Sequence, residues 1–240
     1  MKHQPRERRR KNPVTRWLFR ILCGLLACAV AAVLVFRWVP VRHTPLMLRR
    51  SLTFRADSTW CTQQIWIPVE QVSPDLIKAV ILAEDRYFFQ HHGFDFDEMR
   101  DMWELHRKEG APLKGCSTIS QQTAKNVFTF GTHTWSRKVL ETGWTLLIEA
   151  LWGKERILEV YLNVAEWGRG IYGIEAASRC WYGVPASALG PDEAVSLATN
   201  LRAPLRLSPL DASDPQREAL KQKLKTRMET KELPDWIDWD

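Results

Sequence analysis

Three short clusters carry side chains that could do chemistry together. The first is Ala83-Glu84-Asp85-Arg86, which ends an apolar helical face and precedes Phe88-Phe89 and His91-His92-Gly93. A carboxylate at the end of a hydrophobic helix, beside aromatic rings, is placed to lose part of its water. Burial of that kind raises its pKa and suits it to accept or return a proton near neutrality. The plainer use of the same residues is a local ion pair between Glu84 and Arg86. Glu84 with His91 and His92 hints at a metal site, but adjacent histidines on one turn point apart, which argues against it. The second cluster is Gly115-Cys116-Ser117-Thr118-Ile119-Ser120-Gln121-Gln122. Backbone donors at the start of a helix, with Ser and Thr hydroxyls, suit an anionic or sugar ligand. Lys125, one turn further, adds a cation, although a well-capped helix would explain the pattern equally well. The third, Arg137-Lys138-Val139-Leu140-Glu141, sets a cation and a carboxylate four apart on one helix face, where an ion pair is the commoner meaning.

Helices must position these groups. Ser73-Pro74-Asp75 reads as a helix start, with a Ser cap, Pro at the first position and an acid in the first turn. Ile77, Val80, Ile81 and Ala83 continue it with helical spacing. Further helices are expected over residues 97–107, 120–127, 135–151, 154–163, 174–182 and 191–201. Residues 41–72 form a mixed approach segment with a β-like stretch at Gln64-Ile65-Trp66-Ile67. No run of alternating strands and no repeat is visible. Leu220, Leu224 and Met228 recur at i, i+4, i+8 in a charged stretch, which predicts a peripheral helix before a frayed end. The fold class is mainly α.

An uninterrupted apolar run, residues 21–36, is extended by Trp17, Leu18 and Phe19 on one side and by Trp38 and Val39 on the other. From Trp17 to Trp38 is about 31 Å at roughly 1.5 Å per residue, close to one hydrocarbon core. The two tryptophans suit the interfacial belts, and Arg20 and Arg37 can snorkel to headgroups. Small-residue sites at Ala27-Cys28-Ala29 and Ala29-Val30-Ala31 would allow a cleaved signal peptide. The apolar run continues past both, which favours an uncleaved anchor and disfavours lipidation of Cys28. Residues 1–20 hold eight Lys/Arg against Glu7, more than the whole net charge of +6, so the rest of the chain sums to −1. The basic excess is thus a local tail that keeps the N-terminus cytoplasmic. It does not fit a nucleic-acid-binding surface, which would spread its charge over the fold. Cys61, Cys116 and Cys180 are odd in number and lack metal spacing, so they are no disulfide framework, although one bridge among them stays open.

Taken together and in order, the clusters resemble one family, the family 51 glycosyltransferases or peptidoglycan transglycosylases, which include the glycosyltransferase module of bifunctional penicillin-binding proteins. Glu84-Asp85-x-x-Phe88-x-x-His91-x-Gly93 resembles its first motif, and Gly115-x-Ser117-Thr118-Ile119-Ser120-Gln121-Gln122 with Lys125-Asn126 the second. Arg137-Lys138-x-x-Glu141 resembles the third and Lys154-x-x-Ile157-Leu158-Glu159-x-Tyr161-Leu162-Asn163 the fourth. Gly173-Ile174-Glu175-Ala176-Ala177 with Tyr182-Gly183 fits the fifth. The resemblance runs over residues 73–209 and leaves no room for a transpeptidase domain, which implies the monofunctional, biosynthetic subgroup.

The resemblance implies a lysozyme-like glycosyltransferase domain with a small membrane-proximal jaw. The corresponding division is a basic cytoplasmic tail (1–16), a transmembrane helix (17–39), a linker or jaw (40–72), the glycosyltransferase domain (73–210) and a charged helix and tail (211–240). It further implies polymerisation of lipid II on an undecaprenyl-diphosphate-linked glycan at the bacterial inner membrane, with the catalytic domain outside and cell-wall synthesis or division proteins as candidate partners. Glu84 would act as base and Glu141 as the second catalytic carboxylate. Ser117, Thr118, Gln121, Gln122, Lys125, Asn126, Arg137 and Lys138 would bind substrate. No tightly bound cofactor is expected; if a divalent cation such as Mg2+ or Mn2+ takes part, Glu141 is its candidate ligand. Residues 107–114 are a candidate mobile lid. The chain departs from the family at His133, where an Arg is usual, so the site either recruits another cation or is pH-sensitive there. Cys116 in place of Gly and Ser120 in place of Thr are milder departures. Two rivals share parts of this pattern. A lytic transglycosylase would also use one Glu, but has no need of the second and third clusters. A non-catalytic scaffold would not need Glu84 and Glu141.

Overall fold

The computed structural model describes residues 13–57, 62–110, 116–131 and 134–231. His133, Cys61, Gly115, most of the basic tail and the last part of the expected lid lie outside them. The chain divides into two compact units between Val39 and Pro40.

In the first unit, α1 (Pro13–Phe36) is a 24-residue helix long and apolar enough to cross a membrane. Its leucines and aromatics, among them Trp17, Phe19 and Leu22, are exposed, as a lipid-facing surface requires.

The second unit is mainly α. Its helix α2 (Pro45–Thr53) starts at Thr44, whose hydroxyl accepts from the Met47 N–H at 3.1 Å, with Pro45 in the first turn. Arg49 on α2 donates to the carbonyls of Phe130 and Gly131 at 3.0 and 2.7 Å, so α2 is latched to the loop after the second cluster. Gly131 is required there: its φ is +65°, and a Cβ would lie 2.7 Å from Leu46.

Of the β-like stretch only Gln63–Gln64 (β1) pairs, parallel to β3 (Ile171–Tyr172), which runs antiparallel to β2 (Glu166–Gly168). The ladder stops because a side chain takes over: Asn163 accepts from the Ile67 N–H at 3.0 Å and donates to its carbonyl at 2.8 Å.

Helix α3 (Pro74–Glu84) begins as expected with Pro in its first turn, but Ser73 does not cap it. The Ser73 hydroxyl instead donates to the Leu189 carbonyl at 2.6 Å, tying the start of α3 to a distant loop. Helix α4 (Phe96–Glu109) is capped by Asp95 and closed by Gly110 in the left-handed region. Then come α5 (Ile119–Phe128), α6 (Trp135–Leu151), α7 (Lys154–Val164), α8 (Ile174–Tyr182), α9 (Pro191–Asn200) and α10 (Pro215–Thr230). Leu76, Ile77, Ile81, Phe88, Ile119, Ile148, Ile157, Leu158, Leu162 and Trp167 are fully buried and form the core.

Helix α10 is less peripheral than its charge suggests. Leu224 and Met228 are buried, and the helix packs on α3 and α9; burial of each contributes about 1.5–3 kcal/mol. The buried Arg217 donates to Asn200 Oδ1 at 3.2 Å, and Asn200 in turn donates to the Trp167 carbonyl at 2.7 Å. Sequence spacing reveals the apolar stripe but not this polar chain across three elements.

Candidate active site

Helix α3 delivers Glu84 at its C-terminal end, where six earlier residues of the same helix are buried. The next residue, Asp85, is buried and holds two elements together. It accepts from the Ile119 N–H at 2.9 Å and from His91 Nε2 at 2.9 Å. A carboxylate receiving an N–H at the first turn of α5 is favoured by the helix dipole, and it fixes the start of α5 beside Glu84. His91 therefore serves Asp85 and not a metal with Glu84.

The second cluster divides into two groups. Thr118 and Gln121 form a reciprocal capping box: Thr118 Oγ1 accepts from the Gln121 N–H and Gln121 Oε1 accepts from the Thr118 N–H, both at 3.1 Å. The Thr118 hydroxyl donates onward to the Gly93 carbonyl at 2.7 Å. Both side chains shape the start of α5 and neither lines the cavity described below. Ser120 is also turned inward, where it meets Glu149, which receives Lys154 at 2.7 Å.

Ser117, Gln122, Lys125 and Asn126 face the other way. With Arg137, Lys138 and Glu141 of α6 they line one cavity of about 430 Å³. Leu46 and Arg50 of α2, Tyr161 of α7, Glu166 of β2 and the turn after α9 complete its wall. Arg50, Tyr161 and Glu166 were not singled out as site residues from sequence.

Glu84 borders this cavity through Gln122, whose Nε2 donates to Glu84 Oε2 at 2.8 Å; Tyr161 donates to Gln122 Oε1 at 3.3 Å. The amide thus cannot turn over, because its oxygen is held by Tyr161 and its nitrogen by Glu84. Burial pushes the Glu84 carboxyl above the usual carboxylate range, and the Gln122 hydrogen bond and the charges of Arg202 and Lys125 oppose it only in part. Burial also raises the Tyr161 hydroxyl well above its ordinary value, with Glu84 and Asp85 adding to the effect, so it remains a donor.

Glu141 lies in a different setting. It is 2% exposed, and Arg137 and Lys138 each take one of its oxygens. The i,i+4 ion pair is thus present, joined by an i,i+3 pair that the spacing alone does not single out. The charges of both carboxylates act on Lys125. Burial lowers its ammonium from the usual lysine value, opposed by Glu141 and Glu84. This donor set does not fit a protein-held divalent ion. Both Glu141 oxygens are occupied by cations, Glu166 is paired with Arg50 at 3.3 Å, and no group of three His, Cys, Asp or Glu suited to a metal occurs among the described residues. A desolvated carboxylate beside a cation-lined cavity can take a proton from a neutral nucleophile while the cations hold an anionic leaving group.

Comparison with known proteins agrees with this geometry. The family model for transglycosylases matches residues 54–230, and the chain belongs to that family. It is similar to the biosynthetic peptidoglycan transglycosylase of Rhodospirillum centenum, with 45% identity over 194 residues covering 81% of this chain and 82% of the relative. The proteins of that description from Bdellovibrio bacteriovorus (42% over 204 residues; 83% and 80% covered) and Pseudomonas aeruginosa (44% over 194 residues; 80% and 83%) are comparable.

Proposed function

We propose that the protein is a membrane-anchored peptidoglycan glycosyltransferase that extends glycan strands from lipid II. The observation that carries this reading is the pairing of a desolvated, Gln122-held Glu84 with a cavity walled by Lys125, Arg137 and Lys138. Glu84 takes the proton of the acceptor sugar 4-hydroxyl as its oxygen attacks the donor anomeric carbon. The new bond is C1–O4, and the bond that breaks joins C1 to the diphosphate oxygen. The diphosphate leaves with the electron pair. Attack from the face opposite the leaving group converts an α-diphosphate into a β-1,4 linkage without a covalent enzyme intermediate. Lys125, Arg137 and Lys138 stabilise the diphosphate as its charge grows. Glu141 holds Arg137 and Lys138 in place, and Ser117, Gln122 and Asn126 offer polar contacts to the sugar-diphosphate. Helix α1 anchors the chain in the inner membrane with its N-terminus cytoplasmic, leaving the catalytic unit outside, where lipid-linked substrate is presented.

The test is polymerisation of labelled lipid II by the detergent-solubilised full-length protein beside Glu84→Gln. Strands from the wild type alone are expected. Failure of the wild type to make strands would overturn the reading, and cleavage of finished peptidoglycan would then identify a lytic enzyme.

A further inference from the structure

A second hollow, of about 540 Å³, lies between the loop after α3 and the first turns of α4, and it shares no lining residue with the cavity beside Glu84. Asp95, Asp97, Glu98 and Asp101 line it, and no lysine or arginine does among the described residues. Arg100 answers Asp97. Asp95, Glu98 and Asp101 have no ion pair to another described residue. Partial burial pushes the Glu98 carboxyl above the usual carboxylate range; the charge of Arg86 opposes this, and Asp95, Asp85 and Asp101 add to it. Like charges are gathered here without a cation held among them.

Two enclosed atoms sharpen this. Asp95 is 6% exposed, and its Oδ1 accepts from the Glu98 N–H at 2.8 Å, but its Oδ2 has no hydrogen-bond partner among the described residues. His91 also lines the hollow, with its side chain 9% exposed; its Nε2 serves Asp85, and its Nδ1 is likewise unpartnered. With the Nε2 proton given to a carboxylate, the neutral ring leaves Nδ1 as an acceptor. A buried acceptor without a donor is costly, so both atoms call for N–H groups from outside. No group of three His, Cys, Asp or Glu suited to a metal occurs among the described residues, which leaves an organic cation. Phe94 and Phe96, stacked with ring centroids 5.9 Å apart, give its stem an apolar wall.

We propose that this hollow binds a primary alkylammonium ion, the head of a lysine-like side chain, with its N–H groups received by Asp95 and Glu98 and its stem along Phe94 and Phe96. Three donors on a compact head suit acceptors that converge from a loop and a helix, whereas a quaternary ammonium has no N–H to give. A donor received by His91 Nδ1 also fixes the ring in the tautomer that donates to Asp85, the residue after Glu84. The site does not depend on the glycosyltransferase reading.

The experiment titrates the full-length protein in detergent with n-butylammonium chloride, followed by saturation-transfer NMR, with tetramethylammonium chloride in parallel. The variants are Asp95→Asn, Glu98→Gln and Glu104→Gln. The amide oxygen in Asp95→Asn can still receive the Glu98 N–H, so the start of α4 is kept. Glu104 lies on α4 but not in the hollow and controls for the loss of one negative charge. The wild type is expected to bind n-butylammonium at least tenfold more tightly than tetramethylammonium. Asp95→Asn and Glu98→Gln should each weaken n-butylammonium about fivefold or more at unchanged Tm, and Glu104→Gln should bind as the wild type does. No binding by the wild type, equal binding of the two ammonium ions, unchanged affinity in Glu98→Gln, or an equal loss in Glu104→Gln would each overturn the proposal.

Discussion

Glu141 is buried in the wall of the cavity, and the half-buried Glu84 reaches the same cavity through Gln122, yet the two are built for opposite purposes. Glu84 is answered by a neutral amide, and its proton affinity rises. Glu141 is answered by two cations that occupy both of its oxygens. Burial therefore does not by itself make a proton acceptor. The partner decides, and the sequence shows partners only when they lie a helical turn apart.

Four substitutions test how the two carboxylates differ. Glu84→Gln should give the largest effect, a loss of about a thousandfold in polymerisation rate, within the usual range for a general base. Glu141→Gln should cost about ten- to a hundredfold, through Arg137 and Lys138 released from their fixed positions, and a double variant with Arg137→Gln should lose less than the product of the two single effects. Equal, independent losses would mean that Glu141 acts on substrate directly. Gln122→Leu removes the hydrogen bond that opposes the raised pKa of Glu84, so the acid limb of its pH–rate profile should move upward, with about tenfold loss below that limb and little above it. Tyr161→Phe should lose about fivefold or less, since it only fixes the orientation of that amide.

Stability reports on the same difference. The folded-state pKa of Glu84 is raised, so its contribution is most favourable below the unfolded carboxylate range, near 4.5, and is lost as pH rises through the folded value. Glu84→Gln should therefore melt at a higher temperature than the wild type near neutrality, with the gap closing in acid. Glu141→Gln should melt lower, because two cations lose their shared carboxylate. Thermal melts of both variants between acid and neutral pH would decide this, and a lowered Tm for Glu84→Gln would contradict its desolvation.

The helices were legible because buried faces repeat every 3.6 residues: Ile77, Val80 and Ile81, or Ile157, Leu158 and Tyr161, declare themselves. The Arg137–Glu141 pair was legible for the same reason. The sorting within Ser117 to Gln122 was not. A Thr followed three residues later by Gln is both a capping box and a plausible ligand-binding run, and only the direction of each side chain separates Thr118 and Gln121 from Ser117 and Gln122. Arg50, Glu166 and Arg202 reach the cavity from elements far apart in sequence, and nothing local marks them. The brevity of β1 was equally hidden, since it depends on Asn163, almost a hundred residues away.

The docking of α10 on α3 and α9 bears on how the protein is made. A ribosome delivers α3, with Glu84 at its end, long before α9 and α10 that pack against it. Until then α3 lacks the two helices that pack on it, and a nascent chain presents a sticky face in place of a working site. The site is therefore finished only once α9 and α10 have been made, and a message truncated before Pro215 would yield an aggregation-prone fragment rather than a slower enzyme.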